Sequence, residues 1–290
     1  MIVPELEASI RAELGTDIQL QTARGISGGD IHQAWLLKTN QGDFFLKTNH
    51  PKAAPLFTAE AEALAAINAS QTLKCPQVLA QGQTEQQAWL LMNYIEMQSS
   101  GQDALRGQLL AKMHRQTSPQ FGWAQDNYIG HSLQTNPWTD DWLEFFAKQR
   151  LAPQLDLASN NGAPAGLQQL GHTLLNQLDR FFTDYQPVAS LLHGDLWAGN
   201  SAFDSQGQPL IFDPASYYGD RETDLAMTEL FGGFSADFYQ GYETEWPLDS
   251  GYALRKDLYN LYHILNHYNL FGGHYAHQAE RIIRELLQTR

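Results

Sequence analysis

Residues 191–200 read Leu191-Leu192-His193-Gly194-Asp195-Leu196-Trp197-Ala198-Gly199-Asn200, and a strand-turn-strand from Ser201 to Phe212, turning at Asp204-Ser205-Gln206-Gly207, leads into Asp213-Pro214-Ala215. Residue types and spacing here belong to one chemistry. An aspartate two residues after a histidine, an asparagine five residues later and another aspartate beyond a hairpin follow the order of a phosphoryl-transfer catalytic loop. In that chemistry the Asp195 carboxylate accepts or orients the proton of an attacking hydroxyl. The amide oxygen of Asn200 and the carboxylate of Asp213 hold Mg2+ between phosphates. A His-Gly-Asp triplet alone is common, so Asn200 and Asp213 give the pattern its weight.

Working outward toward the N-terminus, two strand-like runs, Ala34 to Thr39 and Phe44 to Thr48, are joined by Asn40-Gln41-Gly42-Asp43, which has the turn chemistry of a hairpin. Lys47 lies on the second strand, where an ammonium can grip the α/β-phosphates. From Phe57 the period becomes helical: Phe57, Glu60, Leu64 and Ile67 share one face, so Glu60 points inward toward Lys47, whereas Glu62 suits a solvated face. Lys47 alone reads as an ordinary strand lysine, but strand position and helix phase meet on one ion pair. The polar stretch Gly25-Ile26-Ser27-Gly28-Gly29-Asp30 precedes the hairpin, and the Gly28 and Gly29 amides there suit a phosphate-covering loop. A buried strand from Ala88 to Ile95 brings Met92, Asn93 and Tyr94 to the exit of this region, a hinge offering backbone N–H and C=O groups to adenine.

An amphipathic helix over Leu6, Ile10 and Leu14, stopped by Gly15, opens the chain, and Gln77 to Ala80 reads as a strand. Beyond a linker at Ser99 to Gln102 the chain is mainly helical. Leu105, Leu109 and Met113 mark one helix; Trp138, Trp142, Phe145 and Phe146 a second; Leu167, Leu170, Leu174, Leu178 and Phe181 a third; and Leu254, Leu258, Leu261 and Leu265 a late one. The reading is an α+β chain with a small β-rich lobe at residues 1–95 and a larger helical lobe at 96–290. His114 reads as a core or interlobe histidine. His263 and His267, followed by His274 and His277, lack the glutamate or cysteine of a zinc motif and suit packing.

Composition narrows the function. Eighteen Lys+Arg against 32 Asp+Glu give a net charge of −14, which excludes a nucleic-acid binder needing a basic stripe. An apolar fraction of 43% supports a sizeable core. A single cysteine, Cys75, no secretory signal at the start and no apolar run near the ~18 residues of a membrane span point to a protein of the cytoplasm without membrane partners.

The blocks LLHGDLWAGN (191–200), IFDPASYYGDRETDLA (211–226), WLEFFAKQRLAPQL (142–155), Leu265-Asn266-His267 and Leu270-Phe271-Gly272-Gly273 resemble the fructosamine kinase and ketosamine kinase family, across nearly the whole chain. The resemblance implies a bilobal protein-kinase-like, aminoglycoside phosphotransferase-like fold and a kinase using ATP and Mg2+. It implies phosphorylation of a sugar hydroxyl of a ketoamine, free or on a glycated protein, after which elimination returns the amine. By position it makes Asp195 the base, Asn200 and Asp213 the magnesium ligands, Lys47 with Glu60 the phosphate grip, and Trp197 a wall against the sugar. Asp224 resembles the aspartate that braces the catalytic loop. Tyr218, Asp220 and Glu222 are expected on the substrate side or in a structural role, and acids near the cleft are expected to favour a cationic amine. The chain has Gly25 where some members carry a loop cysteine, so a thiol switch there is absent. Two other readings stand beside this one: a phosphotransferase for another hydroxylated metabolite of aminoglycoside, choline or thiosugar type, and a nucleotide-binding pseudokinase.

Overall fold

A computed structural model describes residues 3–15, 17–26 and 32–288. Helix α1 (Pro4–Leu14) begins with proline, whose missing N–H costs nothing in a first turn, and ends at Gly15. Strands β1 (Leu20–Ile26), β2 (Gln33–Thr39) and β3 (Gly42–Asn49) form a meander, and α2 (Ala54–Ala69) follows. Strands β4 (Val78–Gln83) and β5 (Ala88–Asn93) complete an antiparallel sheet of order β1-β2-β3-β5-β4.

Helices cover both faces of this sheet. On β5, Trp89 and Leu91 join Leu6 and Ile10 of α1, while Ala88, Leu90 and Met92 join Phe57, Leu64 and Ile67 of α2. That is why β5 reads as an unbroken apolar run rather than an alternation. The same alternation on β3 sends Leu46 into the α1 core and leaves Lys47 on the α2 side.

The chain crosses to the second region through β6 (Met97–Gln98), which pairs with β10 (Ser201–Asp204) of the hairpin completed by β11 (Pro209–Ile211). Around it lie α3 (Asp103–His114), the small hairpin β7 (Asn127–Ile129) and β8 (Ser132–Gln134), and α4 (Trp142–Phe145), which runs through a π-helical turn at Phe146–Leu151 into α5 (Ala152–Asn160). Helix α6 (Ala165–Leu175) and strand β9 (Ala189–Leu191) precede the loop at 192–200; β12 (Tyr218–Asp220) and helices α7 (Glu222–Leu230), α8 (Ala236–Glu245), α9 (Tyr252–Phe271) and α10 (Tyr275–Gln288) follow it. Among the described residues no helix is long and apolar enough to cross a membrane.

The structure adds detail to three sequence readings. Residues 99–102, read as a linker, are exposed, and the Gln102 N–H donates to the Gly207 carbonyl. The buried face of α3 is Arg106, Gly107, Leu110, Met113 and His114, with Leu105 and Leu109 only half-buried, because α3 and α8 meet at Gly107 and a Cβ there would lie 1.9 Å from the Phe238 carbonyl oxygen. Trp138 lies outside the aromatic stripe, 44% exposed, since the helix starts at Trp142 with Asp141 as its cap.

Candidate active site

Lys47 is buried, and its Nζ donates to Glu60 Oε1 at 2.6 Å and to Asp213 Oδ1 at 2.6 Å. Burial alone would depress the lysine pKa, but the two carboxylates outweigh it and raise it, so the side chain is an ammonium. Asp213 adopts φ 58°, a left-handed conformation unusual outside glycine, and its side chain is 46% exposed to the cleft. The juncture of β3, α2 and the segment after β11 thus holds one ammonium between a buried carboxylate and an open one.

The loop at 192–200 is fixed from beneath. Asp224, in the first turn of α7, accepts the His193 N–H on Oδ2 at 2.7 Å and the Gly194 N–H on Oδ1 at 2.9 Å. His114 Nε2 donates to the same Oδ2 at 3.1 Å, and its Nδ1 accepts from the Tyr242 hydroxyl, to which Arg221 donates. Burial would raise the Asp224 pKa, but the His114 hydrogen bond and nearby histidines and amides hold it below the ordinary carboxylate range. The His193 tautomer is fixed as well: Nδ1 accepts the Asp195 N–H at 3.2 Å, and Nε2 donates to the Phe212 carbonyl at 3.0 Å. This joins the loop to the segment that carries Asp213.

Asp195 is half-buried, and Asn200 Nδ2 donates to its carbonyl at 2.9 Å and to its Oδ2 at 3.0 Å. Burial, opposed by the Asn200 hydrogen bond and assisted by the charges of Asp213 and Asp224, pushes the Asp195 carboxyl up to about 7. A carboxyl of that basicity is suited to take a hydroxyl proton near neutral pH. With its Nδ2 spent on Asp195, Asn200 presents its amide oxygen as the other pole. Asn200 and Asp213 therefore offer oxygen donors of the kind that would hold a hard divalent cation.

Gly194 is required by the loop's shape. Its φ is +84°, and a Cβ would sit 2.1 Å from the Ala215 carbonyl oxygen. Gly194→Ala is expected to cost about 2 kcal/mol of stability and most of the activity; a denaturant midpoint and turnover rate matching the unaltered protein would show that the loop tolerates a side chain there.

Several sequence-derived site residues stand elsewhere than expected. Asp220 and Glu222 are fully buried and do not line a substrate cleft. Asp220 accepts the Tyr185 and Tyr259 hydroxyls at 2.9 and 2.5 Å, and Glu222 is bidentate with Arg255 at 2.7 and 2.9 Å. At the expected hinge the Asn93 N–H, at the end of β5, donates to the Gln77 carbonyl and the Tyr94 N–H, just beyond it, to the Asp43 carbonyl, so these two amides already have partners. Met92 has its side chain in the core. Gly25 belongs to β1, paired with Trp35, not to a loop, while Gly28 and Gly29 lie outside the described residues. Trp197 is 41% exposed beside the loop. Sequence reasoning missed His32, whose Nδ1 lies 2.8 Å from Asn49 Nδ2 and whose ring sits tilted against Phe57 with centroids 4.7 Å apart; only its position after the glycine-rich stretch hinted at it.

Comparison with known proteins gives the chain's relatives. The family model described as fructosamine kinase matches residues 2–289. A probable ketoamine kinase of Synechocystis is 44% identical over 277 residues, covering 94% of this chain and 93% of that one. The chloroplastic protein-ribulosamine 3-kinase of Arabidopsis thaliana is 39% identical over 278 residues, covering 94% and 85%. A crystal structure from Haemophilus somnus 129PT, provisionally named a fructosamine-3-kinase, superimposes with a TM-score of 0.89 at 26% identity over 98% of this chain and 97% of that one.

Proposed function

The chain belongs to the fructosamine kinase family, and on that premise we propose that it transfers the γ-phosphoryl group of ATP to a sugar hydroxyl of a ketoamine, the adduct of a reducing sugar with an amine. The observation that carries the reading is the convergence of Lys47, Glu60 and Asp213 at 2.6 Å contacts beside Asp195 and Asn200. In this reading residues 1–95 hold the nucleotide and residues 96–290 carry the catalytic loop and the acceptor.

Lys47, kept charged and oriented by Glu60, binds phosphate oxygens. Asp195 accepts the proton of the attacking hydroxyl, and Asn200 and His193 hold its carboxylate and backbone in place. Asn200 and Asp213 would hold Mg2+, which supplies neutralisation of charge on the phosphates. Trp197 covers the apolar C–H face of the sugar. Catalysis is then positioning plus electrostatic stabilisation. The phosphorylated ketoamine eliminates and returns the free amine, so the role is deglycation of a small amine or a protein. A cytoplasmic setting goes with this reading and with a single, buried cysteine, Cys75.

The test is ADP release by purified protein with ATP, Mg2+ and fructosyl-lysine or ribulosyl-lysine, beside choline, an aminoglycoside and a thiosugar. Turnover of the ketoamines at least tenfold above the other acceptors is expected. Turnover confined to another acceptor would move the assignment to a different small-molecule phosphotransferase, and nucleotide binding without any turnover would make it a pseudokinase.

A further inference from the structure

The acids expected to greet a cationic substrate, Asp220 and Glu222, are buried and engaged with tyrosines and Arg255. What lies beside Trp197 is aromatic. From Trp197 a chain of ring contacts runs to Phe231 at 6.4 Å, to His267 at 5.0 Å, and from His267 to Phe271 at 5.8 Å and Tyr275 at 5.3 Å. Trp197, Phe231 and Phe271 are 41%, 44% and 60% exposed. Three large aromatics left open along one continuous strip cost hydrophobic free energy that a folded chain normally recovers by burial, and such a patch marks a binding surface.

His267 gives the strip a polar handle. Its Nδ1 lies 2.8 Å from the His263 carbonyl, which can only accept, so Nδ1 carries the ring proton and Nε2 is left with a lone pair. Burial also lowers its pKa, which keeps the ring neutral. A neutral imidazole acceptor among ring faces suits a group that is cationic and also donates an N–H. Ring quadrupoles attract the charge, and the lone pair accepts the hydrogen.

We propose that Phe231, His267, Phe271 and Tyr275 form the subsite for the protonated secondary amine of the ketoamine, with the carrier of that amine leaving along Phe271. The strip starts two residues from Asp195, so a sugar whose hydroxyl meets that carboxylate and whose face lies on Trp197 directs its amine substituent outward along these rings. The subsite rests on the ketoamine reading above and names how that substrate is told from a neutral sugar.

The experiment compares fructosyl-lysine with its ether isostere, in which oxygen replaces the amine nitrogen, by kcat/KM or, for a slow substrate, by inhibition constant. The unaltered enzyme is expected to prefer the amine about tenfold, within the range of one desolvated cation–π contact plus a hydrogen bond. Phe271→Leu keeps an apolar side chain but removes the π face, and His267→Phe keeps a ring but removes the acceptor; each should bring the preference down about fivefold. An unaltered preference in both variants, with ketoamine turnover intact, overturns the subsite and leaves the ketoamine reading standing. Absence of ketoamine turnover in the unaltered enzyme removes both.

Discussion

Asp195→Asn is expected to lower kcat about 10²–10⁴-fold, the usual contribution of a positioned general base, while nucleotide affinity stays within a few-fold. The substitution is nearly isosteric, and its side-chain oxygen can still accept from Asn200 Nδ2, which lies 3.0 Å from the present carboxylate. The braces on the loop, from Asp224 to the His193 and Gly194 amides, do not involve the Asp195 side chain. Loss of activity would therefore report the missing base and charge, not a collapsed loop. Because burial, aided by Asp213 and Asp224, pushes this carboxyl up to about 7, the catalytically competent anion gains as pH rises through neutrality. The acidic limb of kcat/KM for the unaltered enzyme should rise with pH in that region, and the asparagine variant should lack the limb. ADP release across pH and calorimetric nucleotide binding measure both; a variant retaining more than a tenth of kcat takes Asp195 out of the proton transfer.

The parts of the site legible in sequence are those where one periodic rule decides a direction. Alternation along β3 turns Lys47 away from the Leu46 side, the 3.6-residue period of α2 turns Glu60 inward, and the two meet at 2.6 Å. The candidate loop at 192–200 is legible because the proposed chemistry imposes spacing on a short segment. Where the outcome depends on a distant partner, sequence was silent. Asp220 and Glu222 lie a few residues from the loop, but Arg255 on α9 and the hydroxyls of Tyr185 and Tyr259 draw them into the interior. The buried face of α3 has a similar cause, since Gly107 lets α8 approach and carries the buried face with it. The hinge amides illustrate a third limit: whether Asn93 donates inward or outward depends on where β-pairing stops, and that is set by Gln77 across the sheet.

Local charge and ring faces replace the global field in this account. A net charge of −14 repels a nucleotide at long range, so the ammonium of Lys47 must act within contact distance. The same surplus of acids does not reach the acceptor side through Asp220 or Glu222, and the aromatic strip there is the feature with the chemistry to hold a cation.

Arg255→Ala is expected to destabilise the fold by about 3–5 kcal/mol, the cost of leaving one member of a buried ion pair alone. Arg255 is 2% exposed, its Nε and Nη2 donate to both oxygens of Glu222, and Nη2 also reaches Asp249 at 2.6 Å. Its guanidinium lies 3.9 Å from the centroid of the Tyr185 ring, whose hydroxyl donates to Asp220. Truncation would therefore strand the fully buried Glu222 and loosen Asp220 beside it, at the junction of β12 with α7. That junction also carries Asp224, so part of the loss should appear as a lower kcat. KM for a ketoamine should be unmoved, because neither acid faces substrate. Replacing both partners together, Arg255→Leu with Glu222→Leu, removes the uncompensated charge and should restore at least half of the lost stability. Urea midpoints for the single and double variants, read beside KM, decide the matter. A single variant that unfolds with the unaltered protein but raises KM tenfold would mean that these carboxylates reach the substrate after all.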